Sequence, residues 1–444
     1  MQATIAVADL RLGMFIHLEG GWLSHPFPLS SFKLSSAEQI ATIRKLGLQQ
    51  VRWSPEKSDL QGPEAGATAQ AAIDAAKVGS NLPGAVAGAA GQAEQQKQAE
   101  AAARRAELEA QRAVQQQLES QFNEAGVAWR EAVRNLGSDP LGAGTQAQAL
   151  AGAIVDKMLG AGEVALRLVP PGGDRASAHV LNVAVVSLLL GRTLGLSADD
   201  LRGLGTGALL HDVGKFEMPE RARHLEDGAS AAQVSAYREH AARGLQQGQR
   251  MGLPATALAV IAQHHEQADG QGFPMRLAGD RIHMAARIAA VVNRYDNLCN
   301  PPLRNVALTP HEAVAMLFAA GRNRFDATVL NAFIRMMGVY PVGSVVQLTD
   351  DRYGLVVGVN ASRPLKPRVL VHQPGVPRHE ASIVDLDRAG DLGIRRSLAA
   401  SKLPPAALEY LDPRPRSAVY FECLTEAAAG CGDDAPGARE RATA

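Results

Sequence analysis

The sequence predicts a mainly α-helical protein: a helical bundle carrying a metal site, with a small α+β module before it and a β-hairpin or meander appendage after it. Three observations lead there. His179, His211, Asp212, His240, His264 and His265 fall within fewer than a hundred residues at helix-friendly intervals. The stretch Gln95–Leu136 is dense in Ala, Glu, Gln and Arg, which are strong helix formers. Short runs of β-branched and aromatic residues bounded by turn formers lie towards both ends of the chain.

Residues 1–60 form the α+β module. IAVADLRLGMFIHL sets β-branched and aromatic residues around a Leu-Gly-Met turn, which gives two short strands. Ser35 and Glu38 offer a capping box for the helix AEQIATIRKLG, and LQQVRW reads as a closing strand. Trp22, Phe27 and Trp53 are assigned to core packing rather than to an exposed docking patch. Residues 61–92, rich in Ala, Gly, Pro and Gln, suit a flexible linker. Residues 93–137 form a helical connector with a thin apolar stripe of Leu108, Val114, Leu118 and Phe122; a homodimer and a lone solvated helix both fit it.

Residues 138–340 form the bundle. Its most apolar stretch, VLNVAVVSLLLG, is shorter than the ~20 residues that span a bilayer and reads as a core helix beneath the metal site. Residues 341–422 form the β-containing appendage: SVVQLTDDRYGLVVGVN reads as a hairpin and PRVLVHQ as a third strand, which together would cover part of the helices. The tail, 423–444, has the Ala, Gly, Asp and Arg content of a disordered segment.

At 444 residues the chain has room for two or three domains. Its 45 basic residues balance 45 acidic ones, and no Lys/Arg run carries interleaved aromatics, so a nucleic-acid polymer is not an expected partner. Cys299, Cys423 and Cys431 are too few and too scattered for a zinc ribbon or a disulfide framework, which points to a reducing compartment. MQATIAVADL has an acidic residue and no basic flank, unlike a secretory signal. The expectation is a cytoplasmic protein without a membrane span.

Imidazole and carboxylate are the donors that iron, manganese, nickel and zinc take up. Asp212 and Lys215, three apart in LLHDVGK, share one helix face, and a carboxylate and an ammonium in apolar surroundings need partners. A metal cluster supplies them. His264 and His265 point about 100° apart on a regular helix, so both reach one ion only beyond the helix end, where EQADGQGFP supplies the turn. His240 ends the amphipathic AAQVSAYREH, with Gly244 four residues on, where two helices could approach closely. Residue types and spacing alone support a two-metal phosphohydrolase. The remaining histidines fit no ligand spacing.

From about residue 170 to residue 340 these motifs resemble the HD-GYP family, a branch of the HD phosphohydrolase superfamily that hydrolyses the bacterial messenger cyclic di-GMP. The resemblance is carried by the HD of LLHDVGK, by HHEQADGQGFP in the place of HHE-x-x-DG-x-GYP, by His179 and His240, and by RIHMAARIAAVVNRYDNL in the place of R-I-x-x-V-x-D-x-Y-D-A-L. LRLGMFIHLEGGWLSHPF resembles a small module often found before such domains. The resemblance implies an HD-type bundle in which Asp212 bridges two divalent ions, His179 and His211 completing one shell and His240, His264 and His265 the other. Iron or manganese is expected, with nickel, zinc, magnesium and cobalt also compatible. Two such ions clamp the attacking and leaving oxygens of an in-line displacement. Asp212 and Lys215 are the implied catalytic residues, Lys215 holding a phosphate oxygen and stabilising the charge that develops. Gly270, Gly272, Phe273 and Pro274 would shape the substrate-facing loop.

Four departures qualify the match. Asn293 stands where the family places an aspartate ligand; its carbonyl oxygen can coordinate, but without charge. Asp296 is the nearest carboxylate, at a different family position. Arg175 stands where members with a third ion carry a glutamate, so two ions are expected. NPPLRN replaces the segment R-P-Y-R, with Arg304 as a substitute phosphate contact in another register, and Phe273 replaces the signature tyrosine. The expected activity is metal-dependent hydrolysis of cyclic di-GMP to pGpG and GMP. The alternative is a catalytically impaired module that binds the nucleotide, or a diguanylate cyclase of the GGDEF type, and signals by contact. Asn293 and the missing arginine segment favour that alternative, and the otherwise complete ligand set with Lys215 favours the enzyme.

Overall fold

A computed structural model describes residues 3–18, 25, 27, 31–59, 87–170, 174–226, 228–302, 307–414 and 416–424. They divide into two units, residues 1–124 and 125–444. In the first, β1 (Ala3–Ala6), β2 (Phe15–His17), β3 (Ser31–Lys33), α1 (Ala37–Lys45) and β4 (Gln50–Ser54) build an antiparallel sheet of order β1-β4-β2-β3 with one helix. Ile16, Leu34 and Ile43 lie at the centre of its core, which also takes in Phe27 and, at its edge, Trp53. Trp22 lies outside the described residues. β3 is a strand the sequence does not announce, because three residues are too few for an alternating pattern to register. The cap of α1 falls one position later than expected. Ser36, not Ser35, accepts from the Gln39 N–H, and Gln39, not Glu38, returns its side-chain oxygen to the Ser36 N–H. An amide oxygen serves this purpose as well as a carboxylate, and Glu38 stays in the first turn, where it complements the helix dipole.

α2 (Ala87–Arg134) is a single helix of 48 residues, and the boundary between the units falls inside it. It starts ahead of the expected connector because the alanines of AGAA offset the glycines among them. Residues 60–86, most of the expected linker, lie outside the described residues.

In the second unit the chain continues through α3 (Pro140–Leu159), β5 (Glu163–Val169), α4 (Arg175–Thr193), α5 (Ala198–Leu210), α6 (Ala231–Arg250), α7 (Ala255–Gln263), α8 (Met284–Cys299), α9 (Pro310–Ala320) and α10 (Ala327–Met337). Then follow β6 (Val345–Leu348), β7 (Tyr353–Asn360), β8 (Arg368–Val371), β9 (Ile383–Asp385), β10 (Ile394–Leu398), α11 (Pro405–Leu411) and β11 (Ala418–Leu424). Asp139, Asp174, Ser197, Ser230, Thr309 and Asp326 each accept a first-turn N–H and so start α3, α4, α5, α6, α9 and α10. α4 is the core helix. At 19 residues it is long and apolar enough to pass as a membrane span, more than its apolar run alone suggested. Its residues from Val180 to Gly191 are nonetheless buried, with α5, α8 and β11 packed around the helix, and that cover is why this stretch is apolar on nearly every face.

The bundle region is not all helical. EVALRLV forms β5 inside a sheet of order β10-β6-β7-β5-β11, with β8 joined to β7 and β9. Both partners of β5 come from the C-terminal part: Val169 pairs with Ala418 and Ala165 with Asn360. A mostly buried strand has no alternation to read, and its Arg167 meets Glu422 across 255 positions of sequence, so nothing local marks it. The hairpin β6–β7, with Val345 opposite Leu355, and the third strand β8 form as the sequence predicts. Residues 425–444 lie outside the described residues.

Candidate metal centre

Four helix ends and faces bring the six residues together. His179 sits near the start of α4, in its second turn, and His240 in the middle of α6, while His264 closes α7 and His265 follows it. His211 closes α5, and at Asp212 the backbone leaves the helix for a tight 3-10 turn, Val213–Glu217. That turn corrects the α-helical reading of HDVGK. In a 3-10 turn, side chains three apart eclipse, which brings Lys215 Nζ to 2.7 Å from Asp212 Oδ2.

Asp212 is the hub. Its Oδ2 lies 3.5 Å from His211 Nε2 and 4.0 Å from His179 Nε2, and its Oδ1 lies 3.6 Å from His240 Nε2 and 3.8 Å from His264 Nε2. Each oxygen therefore faces its own histidine pair. Within the pairs the Nε2 atoms are 3.3 and 3.4 Å apart. The opposite ring nitrogens set the tautomers. Nδ1 donates to the Ala208 carbonyl from His211 (2.8 Å), to the Tyr237 carbonyl from His240 (2.6 Å) and to the Ile261 carbonyl from His264 (2.9 Å). A carbonyl only accepts, so these protons are on Nδ1 and the Nε2 lone pairs face Asp212. His179 Nδ1 meets Asp296 Oδ2 at 2.6 Å, and Asp296 is held in turn by Asn182 and Asn300, each at 2.8 Å. This is the outer-shell support that metal-ligating histidines have.

The donor set fits metal ions on both sides of Asp212. His179, His211 and Asp212 form one group of possible ligand atoms, and Asp212, His240, His264 and His265 another, each within 4.8 Å. Asp212 Oδ1 is buried with no hydrogen-bond partner, a costly state that a cation relieves. His265 stacks on Phe273 (centroids 4.5 Å apart, planes at 20°) and meets the Tyr237 hydroxyl at 3.5 Å. Asn293 is buried beside the site, its Oδ1 accepting from Asn297 at 2.7 Å.

Burial first, and charge second, fix the ionisation states. Burial pushes His211 down to about 4 and carries His264 and His265 well below the usual histidine value, with His240 lowered too. For Asp212 burial works the other way, but Lys215 and the histidines overcome it and hold the carboxyl well below its ordinary range. Lys215, disfavoured by burial, is raised by Asp212. A carboxylate, an ammonium and neutral imidazoles result. His211 binds its proton near pH 4 when folded and near 6.5 when unfolded, so below about pH 6.5 the unfolded chain takes up more protons. Stability from this group is complete above pH 6.5 and lost as pH falls towards 4. The melting temperature of metal-free protein, followed from pH 7 to 4.5, should drop by roughly 5 °C or more.

A cleft of about 890 Å³, within the range that holds a small molecule, opens beside the cluster. Asp212, Lys215, Tyr237, His179, His264, His265 and Asn293 line it, together with Arg175, Arg223, Arg294 and Arg324. Arg175 donates to the carbonyls of Pro302 and Asn300 and puts a positive charge where a third ion's glutamate would stand. Gly270, Gly272, Phe273 and Pro274, expected to face substrate, are not among the residues that line the cleft; Phe273 stacks on His265 instead. Buried Glu266 organises that loop by accepting from the N–H groups of Met275 (2.7 Å) and Leu277 (2.9 Å). A side chain at Gly272 would meet backbone atoms of His265, Glu266 and Gln267 at 2.4–2.6 Å, so the loop closes tightly against its own start. Arg304 lies outside the described residues. Sequence reasoning did not assign roles to Tyr237, Glu266, Arg294 or Arg324, although Glu266, inside HHEQADG, and Arg294, inside RIHMAARIAAVVNRYDNL, stood in motifs.

Residues 2–140 match the family described as a domain of unknown function (DUF3391), and residues 163–329 the family described as HD domain. The chain is 31% identical over 402 residues to the cyclic di-GMP phosphodiesterase PA4108 of Pseudomonas aeruginosa, covering 88% of this chain and 90% of that protein. It is 29% identical to the cyclic di-GMP phosphodiesterase response regulator RpfG of Xanthomonas campestris over 36% of this chain and 43% of that protein. Among solved structures, Bd1817, a HDG"Y"P protein from Bdellovibrio bacteriovorus, aligns with 75% of this chain and 98% of that chain at 13% identity and a TM-score of 0.40.

Proposed function

The chain belongs to the HD-GYP family of HD-domain cyclic di-GMP phosphodiesterases, and from that premise we propose that it hydrolyses cyclic di-GMP to pGpG and GMP at two divalent ions bridged by Asp212. The observation that carries the reading is the two-sided placement of Asp212, one oxygen towards each histidine pair. His179 and His211 would hold one ion with Oδ2, and His240, His264 and His265 the other with Oδ1. Iron or manganese suits this mixture of imidazole and carboxylate, and nickel, zinc, cobalt or magnesium is compatible with it. Bound there, such ions would supply Lewis-acid polarisation of the phosphoryl oxygens and a nucleophile from water at neutral pH.

The protein's own groups do the rest. The carbonyls of Ala208, Tyr237 and Ile261 keep three imidazoles in the ligating tautomer, and Asp296 orients the fourth. Lys215, beside Asp212 and facing the cleft, is placed to pair with a phosphate oxygen and stabilise charge there. The arginines around the cleft favour an anionic dinucleotide. Arg175 supports a pair of ions rather than three, and Asn293 would add at most a neutral ligand. The ligand set around Asp212 favours this enzyme over the impaired sensor. Protein loaded anaerobically with Fe(II) or Mn(II) should convert cyclic di-GMP to pGpG and GMP, read by chromatography, and carry about two metals per chain. Bound nucleotide with intact metal and no product would overturn the enzyme in favour of the sensor.

A further inference from the structure

Five lysine and arginine side chains line the cleft, and three of them are engaged. Lys215 bonds Asp212 at 2.7 Å, Arg175 donates to the carbonyls of Pro302 and Asn300, and Arg223 Nε donates to the Met218 carbonyl at 3.0 Å. Arg294 and Arg324 find no carboxylate or carbonyl acceptor among the described residues, and both are exposed to the cleft. Their positions are fixed by the same elements that build the metal site. Arg294 follows Asn293 on α8, on the face that meets the cleft through Ala290, Asn293, Asn297 and Leu298. Arg324 lies between α9 and α10; its N–H donates to the Gly321 carbonyl at 3.0 Å, and its own carbonyl accepts from the Ala268 N–H at 2.8 Å. Ala268 belongs to the loop that leaves His264 and His265, so the backbone of Arg324 is tied to the loop of the second histidine pair.

The two guanidinium groups also act on each other. Partial desolvation and then the charge of Arg324 lower Arg294 from the usual arginine range. Two like charges in one cleft, neither paired with a carboxylate among the described residues, repel, and an anion between them removes that cost. Guanidinium groups suit phosphate in particular, since their planar fork donates two parallel hydrogen bonds. A cyclic dinucleotide carries two phosphodiester groups, and the Asp212 cluster can act on only one at a time. We propose that Arg294 and Arg324 form a second anion subsite, which holds the non-scissile phosphodiester while the scissile one lies against Asp212 and Lys215. This rests on the phosphodiesterase reading. It makes the pair a determinant of specificity, because a simple phosphodiester has nothing to place there.

The test uses full-length, metal-loaded protein and the variants Arg294→Ala, Arg324→Ala and the double variant, with cyclic di-GMP and bis(p-nitrophenyl) phosphate as substrates. Each alanine should raise KM for cyclic di-GMP about tenfold, the scale of a hydrogen bond to a charged group, and the ratio of the two kcat/KM values should fall by a similar factor. Lysine at either position should restore part of the loss, since the charge returns without the fork. An unchanged KM, or an equal loss with both substrates, overturns the subsite. Should the wild type turn over neither substrate, the phosphodiesterase reading fails by itself. Calorimetric binding of cyclic di-GMP to the wild type and the double variant then decides the subsite: weaker binding to the variant supports it, and equal binding overturns it.

Discussion

Asp212→Asn should abolish cyclic di-GMP turnover and strip metal from both positions at once, whereas His179→Ala and His240→Ala should each affect one position first. The asymmetry follows from geometry. Among the described residues, Asp212 is the one carboxylate whose two oxygens face two histidine pairs, at 3.5 and 4.0 Å on one side and 3.6 and 3.8 Å on the other. An amide keeps the shape and removes the charge. Outer-shell partners of metal sites alter affinity ~10–100-fold, so loss of a shared inner ligand should exceed about 100-fold. Elemental analysis should then show less than about one metal per chain where the wild type carries about two. Retention of one full equivalent would mean that Asp212 serves one ion and does not bridge. The variant also leaves the Lys215 ammonium without its carboxylate in a partly buried setting, and a charge deprived of its partner costs stability. A lower melting temperature of the metal-free variant would report that second effect separately from catalysis.

Much of this site is legible in the sequence because its restraints are local. The adjacent histidines needed a helix end, and α7 stops at Gln263 to supply one. The carbonyls that orient His211, His240 and His264 lie three residues earlier in each case, within the same turn. The support of His179 is different, because Asp296 reaches it from another helix across 117 positions, and no spacing in the chain announces that meeting. Distance in sequence hid β5 in the same way: its register exists only once β11 and β7 lie beside it. The loop from Gly270 to Pro274 is hard to place from sequence for another reason. A motif tells which residues accompany the ligands, but whether they face substrate or brace a ligand from behind depends on how tightly the loop closes, here around Glu266 and against Phe273. The two unengaged arginines of the cleft come from α8 and from the turn before α10, neighbours only in the folded chain.

Gly214→Ala should disable the site without touching a ligand. The turn after Asp212 passes α6 so closely that a Cβ on Gly214 would lie 2.0 Å from the His240 carbonyl oxygen and 2.4 Å from the Gly244 nitrogen. These are backbone atoms of the helix that carries His240, so they cannot yield as a flexible side chain would. Accommodation has to move α6 away from Asp212, which opens the Asp212–His240 separation of 3.6 Å. Overpacking of a tight core costs about 1–3 kcal/mol, and contact between two backbones belongs at the upper end. The same substitution at Gly152, on α3, meets nothing within 4 Å. There alanine should stabilise by up to about 1 kcal/mol through its better helix propensity. Melting curves of the two variants should therefore shift in opposite directions, and only Gly214→Ala should lose metal. If the two behaved alike, the close passage of the turn against α6 would not be what holds His240 beside Asp212. The small residue in HDVGK would then be a matter of helix chemistry and not of the approach that lets one carboxylate serve two histidine pairs.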